Sequence, residues 1–270
     1  MTGGRRALGL ALCLAAALPL RRLAAQEWDG PVVRALLERA VARREATLGD
    51  TGLTDFSARG HGFVFFLGQI GEGLQEPPRL VKADQLELEV FWKAPSLSRQ
   101  RIIGWRDRRQ LPTDISYHRD HLGIVLNNFA DRIRLGEGDE VRDVPHPLSR
   151  TGLELYEFAL TDSLTIQLQG RAIRVYEVAV RPREFRAPRL VGRVFVDVDR
   201  GDLVRMNFSF TRAAYLDSQL EDITVSIENS LWAGRFWLPL RQEIEIRRRA
   251  GGMDFPARGI IRGRWEADTY

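Results

Sequence analysis

The chain has 270 residues, 44% of them hydrophobic, which is enough apolar surface for a core and too much for a disordered chain. Its formal charge is +4, but Arg5, Arg6, Arg21 and Arg22 all stand in the first 25 residues, and without them basic and acidic residues balance. That balance argues against nucleic acid as a partner, and a lone cysteine, Cys13, excludes an internal disulfide and a thiolate metal cluster.

Residues 1–25 read as a secretory signal. "MTGGRR" is a basic start, "ALGLALCLAAALPL" (Ala7 to Leu20) is an apolar run too short to span a bilayer, and "LAA" offers small residues for cleavage after Ala25. The expected product is a periplasmic protein with one domain over residues 26–270. Arg21 and Arg22 sit where such signals disfavour charge, so an uncleaved anchor is the alternative reading.

"PVVRALLERAVARREATLG" predicts one amphipathic helix. Pro31 suits its first position, Val33, Leu36, Leu37, Ala40 and Val41 share a face, and Gly49 ends it. Beyond it the period changes to two. "HGFVFFLG" places Phe63, Phe65 and Leu67 on one face, and "DQLELEVFWK" places Leu86, Leu88, Val90 and Trp92 on one face with Glu87 and Glu89 opposite. "RIIGWRD" reads as a further short strand. Residues 111–149 are the least regular, and "DHLGIVLNNFADRIRL" fits a helix or a buried strand equally.

Strands resume with "LYEFALTDSLTIQLQGRAIRVYEVAVRP". In "GRVFVDVDRGDLVRMNFSFT", Val194, Val196 and Val198 share a face across a turn from Met206, Phe208 and Phe210, and Gly201 supplies the positive φ of that turn. "EDITVSIENSLW", "RFWLPLRQEIEIRRR" and "ARGIIRGRWEADTY" come next, the second with Phe236, Leu238, Leu240, Ile244 and Ile246 on one face. Sequential half-buried strands predict a mainly β fold: a long curved antiparallel sheet, a half-barrel, wrapped around the N-terminal helix.

The entry "DF-x-A-x-G" (Asp55, Phe56, Ala58, Gly60) and the hairpin "G-x-V-x-V-D-x-D-x-G-x-L-V-R-M" resemble the LolA/LolB lipoprotein-carrier fold and outer-membrane lipoprotein-sorting proteins. Over residues 110–250, "NNFADRI", "VPHPLSRTGLELYEFALTDSLTI", "GRAIRVYEVAVRP", "GRVFVDVDRGDLVRM" and "WLPLRQE" resemble, in the same order, an uncharacterised family of bacterial outer-membrane proteins. Its members often carry a carboxypeptidase-like regulatory domain in front and a β-barrel behind. The resemblance implies that this chain is a truncated version or a periplasmic module standing alone, and it carries over no catalytic residue. In carriers of this fold the concavity accepts acyl chains, so a lipid or lipoprotein acyl chain is one implied ligand. An outer-membrane β-barrel or the membrane surface is an implied partner.

Candidate chemistry is sparse. "YHRDH" holds His118, Asp120 and His121, a set able to bind zinc or iron if the rings converge, but a polar segment before a buried element explains it more simply. No nucleophile elbow, phosphate loop or His-Glu-x-x-His occurs, so no catalytic residue, metal or cofactor is expected and the chain reads as a non-enzyme; a metal-dependent hydrolase built on that cluster is the rival. Glu87 with Glu89, and Glu243 with Glu245, lie opposite apolar faces and read as solvated. Arg247 to Arg249 reads as an exposed basic strand end or a contact for lipid head groups. The expected working surface is the apolar concavity, formed by Phe63, Phe65, Leu88, Val90, Met206, Phe208, Phe210, Phe236 and Leu238. It reads either as plain core or as a partial lipid-accepting cavity.

Overall fold

A computed structural model describes residues 27–71, 76–95, 97–112, 130–135, 140–168, 170–250 and 256–270. The expected signal and the Tyr117–His121 cluster lie outside these residues. Helix α1 covers Pro31–Leu48 and ends on Gly49. Three long strands come after it: β1 (Asp55–Ile70), β2 (Arg79–Lys93) and β3 (Leu97–Arg109). A small pair, β4 (Arg132–Ile133) and β5 (Val144–Pro145), and a short helix α2 (Arg150–Leu155) lead to the second run of strands. These are β6 (Tyr156–Leu168), β7 (Arg171–Pro182), β8 (Leu190–Asp197), β9 (Leu203–Phe210), β10 (Leu220–Trp232), β11 (Phe236–Arg249) and β12 (Ala257–Thr269).

Ten of the strands form one antiparallel sheet in the order β3-β2-β1-β12-β11-β10-β9-β8-β7-β6. Every neighbouring pair but one is consecutive in the chain, as hairpins dictate. The exception is β12, which inserts between β1 and β11 and joins the two runs; Val64 pairs with Gly263 and Ile244 with that same glycine. The sheet is not closed: β3 and β6 are its edges.

Helix α1 crosses the second run. At its start the backbone N–H of Asp29 donates to the carbonyl of Phe158 on β6 (2.6 Å), and just beyond its end Asp50 pairs with Arg235 in the β10–β11 turn (2.7 Å). Its apolar face (Val33, Leu36, Leu37, Ala40, Val41) is buried in one continuous core with Phe158, Val180, Val194, Met206, Phe208 and Ile227. Between these ends the β8–β9 turn touches the helix. Asp197 shapes this turn by accepting from the N–H groups of Asp199 (2.8 Å) and Arg200 (3.0 Å), and Gly201 takes φ +75°. A side chain there would meet the backbone of Arg39 and Ala40 at 3.1 Å, so glycine serves both the turn and the close approach.

Bulges create a second, smaller core on the opposite face. One extra residue in each of three hairpins, Thr161 in β6, Val204 in β9 and Leu240 in β11, shifts the register. Because side chains alternate, one inserted residue turns the rest of its strand over to the other face. Leu164 and Ile166, past the β6 bulge, and the inserted Val204 therefore join Ile173, Val175, Phe195, Leu231 and Trp237 in a second cluster. Side-chain alternation places Val196 and Phe208 with the helix and Phe195 with the opposite cluster.

Candidate functional site

The helix-bearing face holds most of the residues expected to line a concavity. Leu88, Val90, Met206, Phe208, Phe210 and Leu238 are buried there, and Phe236 packs half-buried at its margin beneath Arg235. Phe208 and Phe210 meet edge to face with ring centres 5.5 Å apart. A cavity of about 50 Å³ lies beside α1, between Ala40, Arg43 and Arg44 on the helix, Asp202 in the β8–β9 turn, and Leu203, Asn229 and Phe236 on the sheet. Sites for drug-sized ligands run to roughly 300–1,000 Å³. Among the described residues, α1 together with Ile133, Leu135, Val141, Val144 and Leu148 packs into the trough.

Phe63 and Phe65 do not belong to it. Gly60 pairs with Leu88, Gly62 with Leu86 and Ala58 with Val90, so the even-numbered residues of β1 face the core and the odd-numbered ones face away. Val64 and Phe66 are buried, while Phe63 and Phe65 are 37% and 39% exposed. The error has a physical origin. Strand β1 is apolar on both faces, and its inward register is carried by Ala58, Gly60 and Gly62, the last of which leaves room for the ring of Trp265 from β12. Leu67 lies on the outward side as well and is half-buried.

The outward aromatics form a row. His61 meets Phe63 edge to face at 6.2 Å, and Phe63 stacks parallel with Phe65 at 6.4 Å. Arg264 and Arg262 lie opposite them on β12. Open grooves flank the row: one of about 330 Å³ between Phe65, Thr224, Ser226 and Glu243, and one of about 360 Å³ between His61, Phe63, Phe65 and Glu266. His61 Nδ1 lies 2.8 Å from Asp268.

Charge on this face is mostly paired. Glu89 accepts from Arg101 (2.5 Å) and Arg59 (3.3 Å), and the Arg101 hydrogen bond is the main cause that holds its carboxyl below the usual range. Glu245 accepts from Arg262 and Arg247, each at 2.6 Å. Its carboxyl also lies low, with burial opposing the shift and these two arginines producing it. Glu89, Glu243 and Glu245 thus sit in solvated ion-pair networks, and Glu87 is exposed beside Glu89. The Arg247–Arg249 run is likewise engaged: Arg247 with Glu245, Arg248 with Asp217 (2.6 Å) and Arg249 with Glu221 (3.2 Å). One ion pair is buried on the helix-bearing side of β2, where Lys82 donates to Asp84 (3.1 Å) above the ring of Phe66. Sequence reading missed it, because charged residues on a strand are read as outward-facing.

Among the described residues no group of three His, Cys, Asp or Glu side chains is placed to hold a metal. His146 is fully buried; its Nδ1 accepts from the N–H of Leu148 (3.0 Å). Burial, with the nearby charge of Arg44 adding to it, pushes its imidazole well below the ordinary histidine range.

No family model matches the sequence, and no curated protein matches it. Among solved structures, the chain is similar to lipovitellin, described for its lipid–protein interactions, with a TM-score of 0.34 and 6% identity over 80% of this chain and 25% of that one. It therefore spans about a quarter of the lipovitellin chain. It is also similar to a putative outer membrane lipoprotein-sorting protein domain from Vibrio parahaemolyticus (TM-score 0.28, 13% identity, 86% of this chain and 89% of that one). A third similarity is to the MucA/MucB complex of Pseudomonas aeruginosa (TM-score 0.22, 11% identity, 86% and 93% covered).

Proposed function

We propose that the chain is an exported, non-catalytic binding module of the bacterial envelope. Its hydrophobic ligand, a lipid or acyl chain, enters the helix-bearing face of the sheet by displacing α1. The observation that carries this reading is the relation between trough and helix: a continuous apolar sheet face is covered in large part by a separate element, and among the described residues the cavity beside it is about 50 Å³. An acyl chain in place of α1 exchanges one apolar contact for another, so sheet burial changes little. The helix is held at its rim by side-chain clamps that can open, chiefly Arg43 to Asp202 (2.7 Å) and Glu45 to Arg150 (2.6 Å). The basic start and the apolar run Ala7–Leu20 support export. Kinship with outer-membrane proteins that end in a β-barrel belongs to the same proposal, and so does a docking role beside such a barrel. The docking reading is favoured by the exposed row His61, Phe63 and Phe65.

The test is uptake of a solvatochromic hydrophobic dye by the purified chain, with long-chain fatty acid as competitor. Wild type is expected to take up dye that fatty acid displaces. Leu37→Ala, which loosens α1, should raise uptake several-fold while far-ultraviolet circular dichroism keeps its strand signal. If neither protein takes up dye while the sheet stays folded, lipid binding on this face is wrong and docking becomes the better account.

A further inference from the structure

Strand β3 is an edge of the sheet, and among the described residues no strand pairs with its outer side. Alternate N–H and C=O groups along its 13 residues therefore point away from β2 and, among the described residues, meet no other strand. The sequence "LSRQRIIGWRDRR" carries five arginines and one aspartate. Register with β2 sorts them. Before the bulge at Ile103, Arg99 pairs with Phe91 and Arg101 with Glu89; after it, Arg106 pairs with Gln85 and Arg108 with Ala83. All four stand on the face away from the core. Ser98, Gln100, Ile102 and Trp105 pair with Trp92, Val90, Leu88 and Leu86 and stand on the other face.

These arginines exceed the acids available to them. Arg101 takes Glu89, whereas Arg99, Arg106 and Arg108 are exposed and have no acidic partner among the described residues. A second copy of this chain does not suit the edge, because pairing β3 with β3 sets one arginine row beside another and like charges on neighbouring strands repel.

We propose that the β3 edge receives an extended acidic segment of a partner protein by β-strand addition. The pleat sets the pattern such a segment needs. Every second residue should be Asp or Glu, facing Arg99, Arg101, Arg106 and Arg108, and the residues between should be apolar, continuing the face of Ile102 and Trp105. Main-chain hydrogen bonds supply attachment and the arginine row selects the partner. This inference is independent of what occupies the helix-bearing face.

The experiment uses the purified full chain and labelled ten-residue peptides in fluorescence anisotropy. The peptides are one alternating Glu and Val, a scramble of the same composition, and the alternating sequence N-methylated at every second residue along one edge. The alternating peptide is expected to bind at least tenfold more tightly than the other two and to slow amide hydrogen exchange in residues 97–109. Arg106→Glu with Arg108→Glu should weaken it at least tenfold and should improve binding of a Lys/Val peptide. Equal binding of the alternating and scrambled peptides overturns the proposal. So does unchanged exchange in β3, which would leave the arginines as guards against edge-to-edge aggregation. So, too, does binding to phosphatidylglycerol vesicles that the double reversal abolishes while no peptide preference exists, which would give the row to a lipid surface.

Discussion

Trp265 occupies the space that a side chain on its cross-strand partner Gly62 would need: a Cβ there would lie 1.9 Å from the indole ring. The ring is fully buried and lies over the centre of the sheet, where β12 joins β1. Gly62→Ala must displace ring or backbone, and overpacking of this kind costs about 1–3 kcal/mol. Urea titration should show that loss, and the double variant Gly62→Ala with Trp265→Leu should be less destabilised than the sum of the single changes.

Phe208 and Phe65 test which face is core. Phe208 is 2% exposed and Phe65 is 39% exposed. Truncating a buried phenylalanine costs about 3–5 kcal/mol. Phe208→Ala should reach that range, and Phe65→Ala should shift the urea midpoint little, as exposed positions do. Equal losses at both positions would contradict the register of β1.

His146 should make stability depend on pH in a defined window. Its folded pKa is depressed, so the unfolded chain, with histidine near 6.5, binds the proton more readily. Stability from this group is fully present above about pH 6.5 and falls by up to about 1.4 kcal/mol per unit below it, until the folded pKa is reached. Glu140 acts in the opposite sense. Burial raises its carboxyl pKa, so protonation favours the fold. The difference between wild type and His146→Gln is therefore the readout, since glutamine keeps an acceptor for the Leu148 N–H. Between pH 6.5 and 5 the variant should show a flatter slope in chemical denaturation.

Much of the sheet was legible because each hairpin declares itself locally. Val225 and Ile227 alternate against Thr224 and Ser226, and their partners Ile244 and Gln242 lie where the next strand predicts. Helix α1 was legible for the same reason, since its five buried residues recur at helical spacing. Three things were not legible. The facing of β1 was hidden because Phe63, Val64, Phe65 and Phe66 are apolar at both parities, and only the pairing of Gly62 with Leu86 decides between them. The second core was hidden because single-residue bulges such as Val204 leave no mark in an alternation pattern. The clearest candidate surface, the β3 arginine row, was read as a short strand, since nothing in its own sequence tells an edge strand from a central one.

The position of β12 has a consequence for the order in which the molecule can assemble. Strands β1 to β3 and strands β6 to β11 can each zip up from neighbouring hairpins, but neither run touches the other in the sheet except through residues 257–269. Until that segment has paired, β1 and β11 both present open edges, and the contacts that join them span most of the chain. Such long-range pairing is slow to form and exposes intermediates to aggregation. The two runs therefore remain incompletely joined until β12 has paired with both.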